Sequence, residues 1–528
     1  ALLRRRFALE PVGGAPAGGA CYRLVGHKTV GLPEGDRLLP FVGRRAELEL
    51  LRGRVRDTLA GHGQAVAVVG VAGVGKTRLL RELTQAPDAR AFRLLEAGST
   101  FASIGPYRPV VELLKRCFQI QSDDDIDRMR ERVLTSLQTG EASLASSLPA
   151  FFALLEVPHT DPSWESLEPA ARRQRTFEAV TRLLLYESRV QPVLLLFEDL
   201  HWIDTESQAL LDFVVHSLAG ARMLVLVSYR PEYQHGWGSL GHYTQLRLDS
   251  LLAGEARELL DHLLGSDPAL EPLRHRLIEW TEGNPFFLEE SVRALEETGT
   301  LAGGPGAYTL NRPVGSFDVP ATVEELLAAR LDRLAPGDRD VLQAAAAIGR
   351  DVPLALLAAV AGLEERELRP VLRRLQAAEI MYECSTLAEP EFAFKHVLTH
   401  EVAYQGLLPE ARRRLHARIL GALEAAIREA APTLIDRLAY HAFRGEVWDR
   451  AGEYLRRSGR RALFASATGE AVEIFDQAVV ALRHLPQTPE RLREALALRL
   501  SLRDALWSLG QVGRIRDQLV EAEAIARR

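Results

Sequence analysis

Residues 65–80 read AVAVVGVAGVGKTRLL. The run from Ala65 to Val69 is apolar and β-branched, the composition of a buried strand. It breaks into a loop in which Gly70, Gly73, Gly75, Lys76 and Thr77 have the spacing G-x-x-x-x-G-K-T, with Val74 inside the loop and Arg78 just beyond it. Leu79, Leu80 and Leu83 then fall on one face of a helix. Strand, glycine-rich loop and helix start together form a phosphate cradle, because the glycines let backbone N–H groups turn inward at the helix N-terminus. Lys76 supplies a point charge for the β- and γ-phosphates, and the Thr77 hydroxyl suits Mg²⁺. The competing reading is a chance glycine turn. The chain has only four lysines, at 28, 76, 115 and 395, so a lysine in this slot by chance is rare.

The second half of such a site is an acidic group at the end of a neighbouring strand. VLLLFEDLHWID (193–204) supplies it, with five apolar residues ending in Glu198 and Asp199. One carboxylate would hold Mg²⁺ or its water, and the other would polarise the attacking water. By position Glu198 is the Mg²⁺-side residue and Asp199 the water-side residue, although either could serve either role.

The 528 residues suffice for two to four domains. The net charge of −6 gives no general pull towards nucleic acid or an anionic membrane. Three separated cysteines form no CxxC pair, which favours a reducing compartment without structural zinc. No apolar run reaches the length of a membrane span, and Val352 to Leu363 suits a buried helix. The start, ALLRRRFALEP, turns polar within about ten residues, so no signal peptide and a cytoplasmic location are expected. A chain beginning with Ala1 reads as a fragment of a longer one.

Apolar runs near 65–69, 92–97, 193–197, 223–228 and 245–249 alternate with helical stretches, the pattern of a parallel sheet covered by helices on both faces. The acidic patch Asp123, Asp124, Asp125 and Asp127 reads as a solvated helix start rather than a metal site. Residues 250–300 read as amphipathic helices, and the flexible stretch LAGGPGAYTLNRPVGSFDVP ends at Pro320. Residues 321–405 combine helices with a β-like segment from Ile380 to Phe394, which fits a small winged-helix unit. Beyond 435, Ala- and Leu-rich helices pair up as a helical repeat array of the tetratricopeptide kind. The expected division is a tail and linker at 1–37, a P-loop α/β ATPase domain at 38–250, a small helical lid at 251–310, a winged-helix-like unit at 321–405, a connector at 406–435 and repeats at 436–528.

FVGR (41–44), GVAGVGKT (70–77), FEDLHWID (197–204), SYRPE (228–232) and GNPFFLEE (283–290) stand in the order seen in STAND-class signalling ATPases. The chain resembles that family from about 38 to 528, in the branch whose ATPase domain is similar to the origin-recognition type of AAA domain. The resemblance implies that Val42, Gly43 and Arg44 lie beside the adenine and that Arg230 reads the γ-phosphate. It also implies that Asn284 and Pro285 belong to a small domain closing over the base. The bland alternatives are a surface ion pair for Arg230 and a helix-start turn for the GNP segment. FAFKHVLTHEVAY (392–404) resembles the segment in which a winged-helix histidine reaches the β-phosphate of ADP. His396 is the candidate, with a core or capping histidine as the equal alternative. His396 and His400 stand four apart, but HVLTHE lacks the glutamate placement of a zinc-binding HExxH. Arg412, Arg413 and Arg414 read as a solvated helix face.

The segment FALEPVGGAPAGGACYRLVG resembles the last strands of a bacterial class III nucleotide cyclase domain, with Ala15-Pro16-Ala17-Gly18 in place of that tail's Lys-Gly. No cyclase catalytic residue is present. Taken together, the resemblances imply a slow Mg²⁺-dependent ATPase that uses ATP/ADP exchange as a conformational switch and regulates a fused or partner cyclase or another signalling output. Its implied partners are the adenine nucleotide, an upstream cyclase-like domain or signalling protein, proteins bound by the repeats, and other copies of itself. Nucleic acid and membrane are not among them. Alternatives are a large transcription regulator of the LuxR/MalT-like type and a nucleotide-locked scaffold.

Overall fold

The chain divides into two units, Ala1–Val42 with Leu252–Ala422, and Gly43–Leu251 with Leu423–Arg528. The computed structural model describes residues 7–12, 21–27, 40–98, 105–121, 124–138, 142–312, 320, 322–385, 390–426 and 434–527.

In the first unit, β1 (Phe7–Val12) pairs antiparallel with β2 (Cys21–His27), which covers the stretch expected to be strand-like. The second unit is built on a parallel sheet of β3 (Gln64–Val69), β4 (Arg93–Gly98), β5 (Val193–Glu198), β6 (Met223–Tyr229) and β7 (Tyr243–Arg247). The strand order is β4-β5-β6-β3-β7. Every residue of β3 and β6 is buried, which is why these strands read as unbroken apolar runs rather than alternating ones. β7 begins two residues before the expected run. Its register, Ala65 opposite Tyr243, is set by pairing with β3 rather than by its own composition. All five strands run the same way, so Val69, Glu198 and Tyr229 end at one edge of the sheet.

The helices after Leu423 belong to this same unit. Ile435–Arg444, Trp448–Phe464, Thr468–Arg483, Pro489–Ser508 and Val512–Ala526 each pack on the next. A Cβ on Gly459 would meet the Phe475 ring at 2.3 Å, so the bare backbone there lets two helices close on each other. The helix Thr468–Arg483 also packs on Thr205–His216, the helix that follows the β5 loop. Around this junction Arg461 pairs with Glu156 and Asp436. Ser458 donates to Asp436 at 2.6 Å. Tyr107 and Arg173 both donate to the buried Glu206, at 3.1 and 2.7 Å.

The remainder of the first unit is mostly helical. β8 (Leu301–Ala302) and β9 (Thr309–Leu310) form a short hairpin. This corrects the expectation of a flexible stretch from Leu301. Gly306 and Tyr308 donate to the carbonyls of Leu263 and Leu264 at 2.7 and 3.0 Å, and the Tyr308 ring is buried. Residues 313–319 of that stretch lie outside the described residues. The run from Val352 is likewise not one helix. Val352 sits in β10 (Asp351–Pro353), and Pro353, with extended backbone, starts the helix Leu354–Ala361. β10, β11 (Met381–Ser385) and β12 (Pro390–Phe394) make a three-stranded antiparallel sheet in the order β10-β12-β11.

The junction between the sheet and the C-terminal helices titrates. Burial, with Asp204, Asp436, Glu473 and Glu206 nearby, pushes Glu470 up to about 9. Burial also pushes Asp436, beside Ser458, up to about 6. Arg461 is the cation facing Glu470. Folded Glu470 holds a proton that the unfolded chain releases near pH 4 to 5, so the folded state binds more protons in between and stability falls as pH rises towards 9. Thermal unfolding of the whole chain at pH 5.5, 7 and 8.5 should show this decline. Glu470→Gln, which stays neutral, should flatten it and melt above the parent at pH 8.5.

Candidate functional site

The phosphate loop leaves β3 at Gly70, where a Cβ would meet the Leu248 carbonyl oxygen at 2.6 Å and Val74 Cγ1 at 2.8 Å, so only glycine fits. Gly73 and Gly75 take φ of 78° and 99°, the left-handed region that turns consecutive amides inward. Gly75 then caps the helix Lys76–Gln85. Val74 is 1 % exposed, and its side chain packs inside the loop against Gly70.

Lys76 is buried and donates through Nζ to the carbonyls of Gly70 and Val71 at 2.8 and 3.1 Å, which holds its ammonium over the loop. Burial lowers its pKa, Asp199 opposes that, Arg230 adds to it, and Glu232 and Glu198 oppose it. Thr77 donates through Oγ1 to Glu198 Oε2 at 2.6 Å, so the loop and the acidic end of β5 meet directly. This hydroxyl and carboxylate are hard oxygen donors side by side at a phosphate loop, and they fit Mg²⁺. Asp199 stands in the left-handed region at φ 56°, and its N–H donates to Ser228 Oγ on β6 at 3.1 Å. That bond turns the chain out of β5 into the short 3₁₀ turn Leu200–Trp202. Arg230 follows β6 directly and acts electrostatically on both Lys76 and His201.

Arg44 is 7 % exposed with φ 57° and donates to the carbonyls of Asp249 and, at 3.5 Å, Val74. Its guanidinium therefore ties the start of the helix Arg45–Leu59 to the phosphate loop and to the segment after β7. Arg78 pairs along its own helix with Glu82 at 2.8 Å. Val42 is buried and belongs to the first unit, whereas Gly43, at φ 66°, opens the second.

Pro285 and His396 lie in the first unit. The Asn284 side chain caps the helix Pro285–Glu297 by accepting from Phe287 N at 3.2 Å, so GNP is a helix-start turn in local geometry. His396 precedes the helix Val397–Gln405, and its ring lies 4.5 Å from that of Phe286. The structure thus brings His396 against the GNPFF turn. Burial is the main cause that lowers its pKa to about 4, so the ring is neutral at physiological pH. His400 takes another role, with Nε2 3.0 Å from the Ala346 carbonyl and its ring against Phe394, which leaves it unsuited to share a zinc with His396. Glu290 binds Arg330 and Arg293, each at 2.6 Å, beside the same turn.

Asp124 pairs with Arg132 at 2.6 Å and Asp125 accepts from Arg128 N at 2.8 Å, both at the start of the helix Ile126–Gln138. Asp123 lies outside the described residues. Arg412 stacks over Tyr404 and donates to the Gln405 carbonyl, and Arg413 pairs with Glu410, as on a solvated helix face. Among the described residues no helix is long and apolar enough to cross a membrane.

Residues 40–227 match the AAA ATPase domain family. The match spans the phosphate loop and the β5 acidic pair and ends within β6 at Val227. A search of curated proteins finds an uncharacterized protein of Rhizobium meliloti (strain 1021), 26 % identical over 479 residues, which cover 87 % of this chain and 44 % of that one. The chain therefore spans under half the length of this relative. Among solved structures, a Signal Transduction ATPase with Numerous Domains (STAND) protein with a tetratricopeptide repeat sensor from Pyrococcus horikoshii aligns at 14 % identity and TM-score 0.44. That alignment covers 92 % of this chain and 64 % of the other. The Aeropyrum pernix Orc1 protein in complex with DNA aligns at 14 % identity and TM-score 0.27, over 69 % and 93 % of the two chains.

Three residues at this sheet edge escaped the sequence reading: Ser228, Glu232 and His201. All lie inside motifs already picked out, SYRPE and FEDLHWID. Ser228 has a role only through a bond to a different strand, and Glu232 only through its field at Lys76. Lys76→Ala should leave the fold intact, since its contacts are with its own loop. It should weaken ATP binding about 10- to 100-fold, the value of charge-assisted bonds to phosphate. Calorimetric titration with circular dichroism as the fold control measures both.

Proposed function

We propose that the chain binds ATP and ADP with Mg²⁺ at the β3–β5–β6 edge, hydrolyses ATP slowly, and uses the exchange as a conformational switch. The observation that carries this reading is the 2.6 Å bond between Thr77 and Glu198. It joins a phosphate loop to an acidic strand end, the two parts a P-loop ATPase requires. Thr77 and Glu198 would hold Mg²⁺, which supplies charge neutralisation between the phosphates. Gly70, Gly73, Gly75 and Lys76 would cradle the phosphates, with Val74 and Arg78 shaping the cradle and Val42, Gly43 and Arg44 bordering the base. Asp199 would orient the attacking water, and Arg230 would meet the terminal phosphate.

Residues 38–250 would form the ATPase domain and 251–310 a lid. Residues 321–405 would be a winged-helix unit and 436–528 tetratricopeptide-like repeats that receive a protein partner. The three-stranded β10–β12 sheet among helices and the close helix pairs around Gly459 support these assignments. The setting is a cytoplasmic signalling protein, with the 1–37 segment as the tail of a cyclase-like domain and a linker, and with self-association as one route of output.

Glu198→Gln and Asp199→Asn preserve shape and remove charge. Each should keep nucleotide binding and lower single-turnover hydrolysis about 100-fold or more, Asp199→Asn through loss of the base that orients water and Glu198→Gln through loss of the Mg²⁺-side charge. Wild-type rates in both would remove the acidic pair from the mechanism. In the resemblance His396 adds a contact to the β-phosphate of ADP. His396→Ala should accordingly weaken ADP about 10-fold and ATP much less, as one hydrogen bond to a charged group is worth. Equal changes for the two nucleotides would make His396 a packing residue.

A further inference from the structure

His201 stands in the turn Leu200–Trp202, directly after the acidic pair. The turn is clamped at both ends. Trp202 N donates to the Asp199 carbonyl at 2.9 Å, and Ile203 N to the Leu200 carbonyl at 3.0 Å. Leu200 is wholly buried beneath it, and Asp204 caps the helix that follows. The imidazole leans on the Trp202 ring, with centroids 5.2 Å apart. Its orientation is therefore set before any ligand arrives.

Both ring nitrogens, Nδ1 and Nε2, are buried and have no hydrogen-bond partner among the described residues. A buried imidazole that satisfies neither nitrogen is uncommon, because the loss of water is uncompensated. The charges that act on this ring are those of the phosphate site. Asp199, Arg230, Lys76 and Glu232 all influence it, and Asp199, Arg230 and Glu232 also act on Lys76. Burial keeps the ring neutral, which leaves one N–H to donate and one lone pair. An anionic oxygen near Lys76 and Arg230 accepts from that N–H; it cannot face the lone pair.

We propose that His201 is a nucleotide-discriminating residue whose ring N–H donates to the terminal phosphate of ATP, a contact that ADP cannot offer. The proposal rests on the nucleotide-binding reading given above. It gives the switch a differential contact, without which a ligand shifts no equilibrium. Lys76 and the loop amides serve both nucleotides, whereas His201 would serve one.

The test compares binding of ADP with that of a non-hydrolysable ATP analogue bearing a β,γ-imido bridge, both with Mg²⁺, by calorimetry. His201→Phe keeps the aromatic contact with Trp202 and removes both nitrogens. It should lose about 10-fold in affinity for the analogue and less than about 2-fold for ADP. His201→Asn places a donor near the Nδ1 position and His201→Gln near Nε2. One of the two should regain most of the loss, which also identifies the donating nitrogen. Thermal melts without nucleotide report whether the turn survives. Unchanged affinity in His201→Phe, or equal losses for analogue and ADP, would overturn the proposal and leave the ring as a packing element of the turn. A parent protein that binds neither nucleotide would overturn the nucleotide-binding reading itself, an outcome distinct from these.

Discussion

The Thr77–Glu198 hydrogen bond joins positions 121 apart in the chain, and the site depends on that closure. It exists because β3 and β5 both pair in parallel with β6, at Val69–Tyr229 and Phe197–Val227, so their ends reach the same edge. A shift of β5 by one residue would turn Glu198 to the other face of the sheet. The apolar burial of β3, β5 and β6 fixes that register. A large fraction of the core therefore serves to keep one hydroxyl and one carboxylate within bonding distance.

Tight backbone constraints surround this contact. Gly70 passes under the Leu248 carbonyl with no room for a side chain, and Arg44 binds the loop to the segment after β7. Asp199 takes a left-handed backbone and is fastened to Ser228. Loop and turn are thus held on a rigid sheet edge, the arrangement in which open α/β sheets bind ligands. Charge also acts there: Asp199, Glu232 and Glu198 oppose the effect of burial and of Arg230 on the Lys76 ammonium.

The same sheet carries a second consequence. The loop after β5 runs straight into Asp204 and the helix Thr205–His216, which packs on Thr468–Arg483. The buried carboxyls of Glu206 and Asp436 and the half-buried ones of Asp204 and Glu470, with Arg173 and Arg461 as nearby cations, occupy that junction. The first turn of the helix after the β5 loop is thus also where the C-terminal helices pack, with Glu206 facing Gly469 and Glu470. These groups are costly to bury unless paired, so the junction is held by a few specific contacts rather than by a broad apolar face.

Much of this protein is legible in its sequence. The strand–loop–helix at 65–80, the acidic pair after VLLLF and the alternation of strands and helices are local patterns, set by side-chain periodicity and backbone freedom within a few residues. The Ala- and Leu-rich composition beyond 435 indicated paired helices, which the structure shows closing tightly at Gly459. Other features are not local. The start of β7, the fold of the 301–310 hairpin and the break at Val352 depend on which backbone partners each segment finds, and no single segment encodes its partner. His201, Ser228 and Glu232 looked like ordinary polar residues beside a motif, because an unpaired buried nitrogen or a field at a distant lysine has no sequence signature. The amino-acid order by itself determined that a phosphate loop and an acidic strand end exist. Only the parallel register of β3, β5 and β6 decided that they touch, since that register comes from buried side chains spread over more than a hundred positions.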